Sequence, residues 1–126
     1  MIDALFTEPD YVAAKKMLDV TLLRQQAIAS NLANVETPNY KRLEVSPSFE
    51  AQLRQAVAGQ NPGEIANLQP ELAVDTGAVS GRSDGNTVQL ETEMLKLNTN
   101  TVENTLETQL VSSSLAKMRL AITGKG

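Results

Sequence analysis

An unbroken heptad pattern near the end of the sequence constrains the fold more than any other feature. Its members alternate in steps of four and three residues from Leu90 to Ile122. This spacing is typical of a helix that packs along one seam, and its period of about 3.5 residues predicts a left-handed supercoil. The predicted seam consists of Leu90, Met94, Leu97, Thr101, Asn104, Thr108, Val111, Leu115, Met118 and Ile122.

A second apolar stripe runs along the same predicted helix. It comprises Leu95, Val102, Leu106, Leu110 and Leu120. A simple two-stranded coiled coil needs only one seam. The two stripes therefore predict a helix that is covered from more than one direction.

The centre of the predicted seam is polar at Thr101, Asn104 and Thr108. Two interpretations remain open. In one, the polar residues keep the monomer soluble until the correct neighbours arrive, and a buried Asn fixes register and partner number while lowering stability. In the other, this part of the helix faces solvent where the helices splay. Burial of the apolar members alone does not offset the conformational entropy that is lost when about 35 residues become ordered, at ~1.5 kcal/mol each. We expect neighbouring copies of the chain to supply the missing burial.

A similar pattern near the start of the chain predicts a first long helix over residues 8–34. Leu18, Leu22 and Leu32 belong to its apolar stripe, and Thr7 is a favourable N-cap. We expect the two long terminal helices to form an antiparallel, coiled-coil-like hairpin. The fold class is then all-α dominated, with one structural domain. Its predicted segments are residues 1–40, 41–87 and 88–126.

The central segment loses the helical period and is predicted to be a partly irregular insertion. Ser46 and Pro47 can start a short helix that carries Phe49, Leu53 and Ala56 on one face. The remaining expectations are a loop at residues 59–63, a short extended piece at 71–74 and turns at 80–86.

The composition excludes several classes of chemistry. The chain has neither Cys nor His, so thiol and imidazole catalysis and ordinary zinc or haem ligation are excluded. Glu91 and Glu93 stand two positions apart on a helix and point in different directions. Residues 84–86 lack the ligand spacing of a calcium loop. We therefore expect no enzyme activity, no catalytic residue, no cofactor and no metal site.

The charge argues against nucleic acid as the main partner, and the hydropathy argues against a membrane span. The net charge is −4, with no block of Lys and Arg, which argues against nucleic acid. No apolar run approaches the roughly 20 residues of a membrane span. The first residues lack the basic and apolar regions of a cleavable signal peptide. We expect a chain that is cytoplasmic or exported with its N-terminus uncut.

A dense turn motif marks the end of the first predicted helix. Pro38 cannot continue a helix, and Asn39 tolerates turn geometry. Asn34 can cap the last carbonyl groups, and Tyr40 can bury its ring with its hydroxyl at a wet boundary. We expect the motif to shape the turn and a subunit contact together rather than to bind a separate ligand. Its members are Asn31, Leu32, Ala33, Asn34, Thr37, Pro38, Asn39, Tyr40 and Lys41.

This motif resembles the N-terminal signature of bacterial flagellar rod and hook proteins. The resemblance rests on residues 30–34 and 37–41, and on residues 84–94, which look like the segment that opens the family's C-terminal helix. Ser30 and Gln89 depart from the family pattern, in which Asn and an acidic residue are common. The short chain and its version of the motif favour the proximal rod type.

The resemblance implies a structural role in flagellum assembly and motility. Proteins of this family are exported unfolded by a type III apparatus and pack helically around a hollow axis, with their terminal helices side by side. The expected partners are copies of the chain, other rod subunits, a basal adaptor protein, the export gate and the MS ring. The expected location is the periplasmic rod of the basal body, reached without a cleaved signal peptide.

A soluble helical adaptor or export chaperone is the alternative interpretation. An acidic chain with amphipathic helices suits such a binding module equally well. The two classes differ in location: a chaperone stays in the cytoplasm with its cargo, whereas a rod subunit co-purifies with detergent-extracted basal bodies.

Overall fold

The computed structural model describes residues 8–124 of the chain. In chain order it contains α1 (Glu8–Ala33), β1 (Leu43–Val45), α2 (Pro47–Ala58), α3 (Pro62–Asn67), β2 (Leu72–Val74) and α4 (Leu90–Thr123). The helix-dominated fold with two long terminal helices is confirmed. The N-cap predicted at Thr7 lies outside the described residues. No helix in residues 8–124 has the length and hydropathy needed to cross a membrane.

The two long helices, α1 and α4, pack side by side in opposite directions. Asn31 near the end of α1 bonds to Glu93 near the start of α4. Thr21, earlier in α1, bonds to Asn100 and Asn104, later in α4. Contacting residue numbers thus fall in α1 as they rise in α4, which is the antiparallel arrangement of the predicted hairpin.

The hydrophobic core lies between α1 and the central segment. Its buried members are Val20, Val45, Phe49, Leu53, Ala56 and Ile65. Pro47 begins α2, as predicted, and the predicted apolar face of that helix is the buried one. The core forms here because the apolar side chains of α2 recur at helical spacing and meet the apolar face of α1.

Helix α3 corrects the loop predicted at residues 59–63. Asn61 is its N-cap, and the side-chain oxygen accepts hydrogen bonds from the backbone N–H groups of Gly63 at 3.0 Å and Glu64 at 3.2 Å. Pro62 takes a position in the first turn, where its missing N–H removes no helical bond. An Asn followed by Pro is a helix-start signal as well as a loop signal, and here it acts as the former.

Two short strands pair next to this core. β1 and β2 are antiparallel, with Leu43 opposite Val74 and Val45 opposite Leu72. The extended piece predicted at residues 71–74 is confirmed as β2. β1 was not predicted, because three residues are too few to display an alternating pattern.

The face of α4 that packs on α1 differs from the predicted seam. We call this face the inner seam; its members are buried or half-buried and are Glu93, Leu97, Asn100, Asn104, Glu107, Val111, Ser114 and Met118. It keeps the alternation of four and three residues but shares only Leu97, Asn104, Val111 and Met118 with the prediction. Polar residues occur in it because amide and carboxylate groups bond across to α1.

The other predicted seam residues do not pack between the two long helices. Leu90, Met94, Leu115 and Ile122 of α4 are exposed, as is Leu22 of α1. Leu18 and Leu32 of α1 are half-buried. The difference has a physical reason: an apolar period shows which faces would leave water, but not whether the same chain covers them.

A further apolar face of α4, which we call the outer stripe, points away from α1. It comprises Leu95, Val102, Leu106 and Leu120, which are 66%, 59%, 58% and 45% exposed. At about 100° per residue, these side chains lie roughly 180° from the inner seam. The chain by itself covers one side of α4, so contact from a second direction stays a prediction.

Candidate functional site

Asn31 joins three parts of the fold at the end of α1. Its side-chain amide donates to the Leu43 carbonyl at 3.0 Å, and its oxygen accepts from the Leu43 N–H at 2.8 Å. The amide also donates to the Glu93 carboxylate at 3.2 Å. Asn31 is 0% exposed, so each of these bonds satisfies a group that water does not reach. The side chain thereby ties α1 to β1 and α4.

A buried ion cluster continues from this point. Arg42 donates to Glu93 at 2.6 Å and to Asp75 at 2.6 Å, and it lies 3.4 Å from Glu44. Burial alone would lower the pKa of Arg42, but its hydrogen bonds to Glu93 and Asp75 raise that pKa further above its ordinary value. The cation stays charged and holds α4 against the strand pair.

The turn after α1 is fixed by its own polar side chains. The Asn34 amide donates to the Ser30 carbonyl at 2.8 Å, which is the predicted cap. Thr37 donates to the Asn34 side-chain oxygen at 3.1 Å. Asn39 has a φ of 61°, in the left-handed region that Asn tolerates better than most residues. The Tyr40 hydroxyl lies 2.8 Å from the Ser30 hydroxyl, so the aromatic ring folds back onto α1.

Asn86 brings the second sequence motif onto this turn. Its buried amide donates to the carbonyls of Asn34 at 2.9 Å, Val35 at 3.1 Å and Thr37 at 2.8 Å. Its oxygen accepts from the N–H of Val88 at 2.7 Å. These three carbonyls lie in the turn that follows α1, so a side chain about fifty residues away in sequence holds that turn in place.

The backbone around Gly85 packs closely against the same turn. Gly85 has a φ of 78°, and a Cβ atom there would lie 2.5 Å from the Asn39 side-chain oxygen. Lys41 donates to the Gly85 carbonyl at 2.7 Å, and Arg82 donates to the Val35 carbonyl. We call the whole assembly of residues 30–43, 75 and 82–93 the motif junction.

The structure distributes the predicted motif residues unevenly. Six of them bond to other residues of the motif junction: Asn31, Asn34, Thr37, Asn39, Tyr40 and Lys41. Leu32 is half-buried, and Ala33 and Pro38 are exposed. The predicted subunit contact of these residues stays a prediction.

Sequence analysis missed several residues of the junction. Arg42, Asp75 and Asn86 were not singled out, and Glu93 was considered only as one of two carboxylates that are poorly placed to act as a pair. Asn86 could have been found, because it lies inside the second resembling segment. Arg42 and Asp75 carry no local signal, since their pairing depends on how β1 and β2 meet in space.

The motif junction is a network of hydrogen bonds and ion pairs that holds α1, the strand pair and the start of α4 in one arrangement. Its buried donors and acceptors bond to one another and to the backbone, which is how buried polar groups stabilise one arrangement. Within residues 8–124, no three His, Cys, Asp or Glu side chains converge in a way that would hold a metal ion. The outer stripe, by contrast, is a surface that has apolar side chains and no partner within these residues.

Comparison with known proteins finds sequence similarity both around the turn after α1 and over most of the chain. The sequence profile of a family described as "Flagella basal body rod protein" matches residues 20–41, which form the second half of α1 and the turn. A flagellar basal body rod protein FlgB of Borrelia hermsii is 29% identical over 127 residues, covering 86% of this chain and 92% of the relative. A FlgB of Borreliella burgdorferi is 40% identical over 50 residues, covering 40% of this chain and 36% of the relative.

The profile match ends at Lys41, inside the motif junction, and the Borrelia hermsii relative aligns with nearly the whole chain. The residues that carried the resemblance in the sequence are those that the fold brings together around Asn31 and Asn86. The chain is similar to flagellar basal body rod proteins, in the turn after α1 and, at lower identity, over most of its length.

Proposed function

We propose that this chain is a structural subunit of the proximal rod of the bacterial flagellar basal body. It polymerises through its two long terminal helices into the hollow drive shaft and is required for flagellum assembly and motility. The similarity to flagellar basal body rod proteins supports this proposal. The family is one of structural rod proteins, which gives no reason to propose a reaction.

The exposed outer stripe is the observation that best supports polymerisation. The motif junction already fixes α4 to α1, so the stripe is not needed for the contact between these two helices. Burying a Leu or Val side chain contributes about 1.5–3 kcal/mol. A helix that exposes Leu95, Val102, Leu106 and Leu120 along one face is therefore stabilised when a neighbouring helix covers that face.

The finer assignments are part of the same proposal. The neighbours are copies of this chain and other rod subunits, with a basal adaptor protein, the export gate and the MS ring at the base. The location is the periplasmic rod, and export occurs without cleavage of a signal peptide. These assignments rest on the resemblance to the family, whose rod proteins occupy this place.

The alternative, a soluble helical adaptor or export chaperone, is not favoured. The relatives that match this chain carry the name of a rod protein rather than that of a chaperone. The paired terminal helices and exposed apolar face fit a subunit that is covered on assembly.

Detergent extraction of basal bodies tests the proposal. A strain that lacks the gene is complemented with the wild-type chain, with the double variant Asn34→Ala and Tyr40→Ala, or with the exposed-site control Asn98→Ala. The wild type and the control should co-purify with basal bodies and restore swimming, whereas the double variant should be synthesised but assemble poorly. A wild-type chain found only in the cytoplasm, bound to a cargo protein, would support the chaperone instead.

A further inference from the structure

An open cleft lies between α2 and α4, with α1 as its floor. Its volume is about 720 Å³. Apolar side chains make up much of the floor and of the α2 wall, which also carries Glu50 and Arg54. The apolar members are Ala13, Met17, Val20, Phe49, Leu53 and Val57. The cleft follows α1 from Ala13 to Arg24, a length of about 16 Å at 1.5 Å per residue. It is long enough for about three turns of a second helix.

The α4 wall of this cleft is acidic. Glu103 and Glu107 both line it. Arg24 closes one end, because it pairs with Glu50 of α2 at 2.6 Å and with Glu103 at 3.4 Å. Glu107 has no ion-pair partner among residues 8–124, and burial together with the neighbouring Glu103 raises its pKa. A cation placed beside Glu107 would relieve this repulsion.

The last part of α4 has the complementary chemistry. We call residues 112–123 the α4 tail. It contains Lys117 and Arg119 but no Asp or Glu, and it exposes Leu115, Leu120 and Ile122. The preceding part of α4 also has exposed apolar residues, but it carries Glu91, Glu93, Glu103 and Glu107 and a single cation, Lys96. Within the described part of α4, the tail combines an apolar surface with positive charge and has no acidic residue.

The tail cannot enter the cleft of its own chain. Glu103 and Glu107 stand on the same continuous helix, Leu90–Thr123, so the tail runs on past the wall that they form. A tail that fills the cleft must therefore come from another molecule. The length of the tail, about 18 Å at 1.5 Å per residue, matches the cleft.

We infer that the cleft between α2 and α4 of one copy receives the α4 tail of the next copy, with Leu120 against the apolar floor and Lys117 beside Glu107. The inference rests on the proposed function and adds which surface meets which. The contact joins two different surfaces, so it leaves a free cleft at one end of a pair and a free tail at the other. Such head-to-tail contacts propagate into rings or open helical chains.

Charge reversal tests the contact. One variant carries Glu107→Lys in the cleft, and the other carries Lys117→Glu and Arg119→Glu in the tail. Glu107→Lys places a cation four residues after Glu103, a favourable helical pair, so the fold should not suffer. Glu71→Lys, an exposed charge reversal before β2 that lies outside both the cleft and the motif junction, is the control.

Each reversed variant, alone in a strain that lacks the gene, should reduce the chain recovered in basal bodies at least about fivefold, because like charges then oppose each other. Co-expression of the two variants, or all three substitutions in one chain, should restore recovery to the level of the control. Unfolding caused by a substitution would not be reversed by adding another, so restoration identifies the contact.

The outcomes separate the two proposals. Normal assembly of the single-surface variants, or no restoration in the combination, overturns the cleft-and-tail contact while leaving the rod function intact. Absence of the wild-type chain from basal bodies overturns the rod function itself.

Disulfide trapping gives an independent measurement. The natural chain has no Cys, so Val57→Cys in the cleft wall and Leu120→Cys in the tail introduce the only thiols. A chain with both substitutions should form a ladder of dimers, trimers and larger species on oxidation, and each single variant should not. A product that stops at dimers would indicate a symmetric contact and overturn the inference.

Discussion

Asparagine side chains bond to backbone groups that no neighbouring helix or strand reaches. Asn31 pairs with both backbone groups of Leu43, as an adjacent strand would, and Asn86 donates to carbonyls of the turn after α1. Asn100 donates across the inner seam to the Thr21 carbonyl at 2.8 Å. An amide carries donors and an acceptor on one short side chain. This lets a single residue bridge two elements whose backbones do not otherwise meet.

Replacement of Asn31 tests how much the motif junction contributes to stability. Asn31→Ala should lower the free energy of unfolding by roughly 2–4 kcal/mol, because it leaves buried groups of Leu43 and Glu93 without partners. Asn31→Asp should be more harmful at neutral pH, since it sets a second carboxylate beside Glu93. Urea unfolding measures both. Exposed Asn98→Ala should change the value by less than about 0.5 kcal/mol, and an equally small effect of Asn31→Ala would contradict the assigned role.

Gly85 offers a matched test of the close approach between the two motifs. Gly85→Ala should destabilise the fold by about 1–3 kcal/mol, because the residue has a positive φ and the new Cβ atom would contact Asn39. Gly81→Ala is the control, since nothing lies within 4 Å of the Cβ position there. Thermal unfolding of both variants should show a lowered midpoint for Gly85→Ala alone. Equal midpoints would mean that the turn relaxes freely.

Among the elements, α4 has the most unusual division of surfaces. Its inner seam contains Glu93, Asn100 and Asn104, whereas the outer stripe is made of Leu and Val. A helix of an isolated globular protein normally shows the reverse distribution. The polar residues of the inner seam form hydrogen bonds with particular groups of α1 and so fix how the two helices pair. The apolar residues of the outer stripe would be buried only when a neighbouring helix covers them.

Truncation of one buried and one exposed Leu separates folding from assembly. Leu53→Ala, in the core at 6% exposure, should cost about 2–5 kcal/mol of stability. Leu106→Ala, at 58% exposure in the outer stripe, should cost less than about 1 kcal/mol yet reduce the chain recovered in basal bodies. Denaturant unfolding and basal-body extraction measure the two effects. A Leu106 variant that assembles normally would remove the stripe from the interface.

The sequence predicted those features that depend on local period and punctuation. α1, α2 and α4 follow from apolar spacing and from Pro47 and Pro38, and the turn follows from Asn34 and Asn39. The choice of the inner seam could not be predicted, because the predicted seam and the inner seam share the same period and differ by a small rotation about the helix axis. The ion cluster around Arg42 was equally hidden, since its members come from β1, β2 and α4.

At the scale of the whole molecule, the ion cluster makes stability depend on pH. Burial alone would raise the pKa of both Glu44 and Asp75. Hydrogen bonds from the Val45 N–H and Arg24 lower that of Glu44, and bonds from Arg42 and the Gly77 N–H lower that of Asp75. Because the folded values lie below the ordinary ones of 4.5 and 3.8, both groups favour the folded state when ionised.

We therefore expect the free energy of unfolding to form a plateau near neutral pH and to decrease in acid. The contribution of these carboxylates is complete above their ordinary pKa values and is lost as the pH falls through the lower, folded values. The free energy of unfolding should stay level from neutral pH to about pH 5 and decrease below it. Urea titrations between neutral and acid pH measure the curve. Asp75→Asn should lower the plateau and make the acid decrease shallower; an unchanged slope would exclude Asp75 as a contributor.

The bonds of Asn86 to the turn after α1 have a consequence for the order in which the molecule can form. A ribosome releases residues 34–37 well before residue 86, and the amide that holds this turn arrives only with the later segment. Residues 31 and 93, and 21 and 100, are likewise distant in sequence. Contacts this remote delay the search for the native state. A nascent chain thus cannot complete the pairing of its two long helices until nearly all of it has been made.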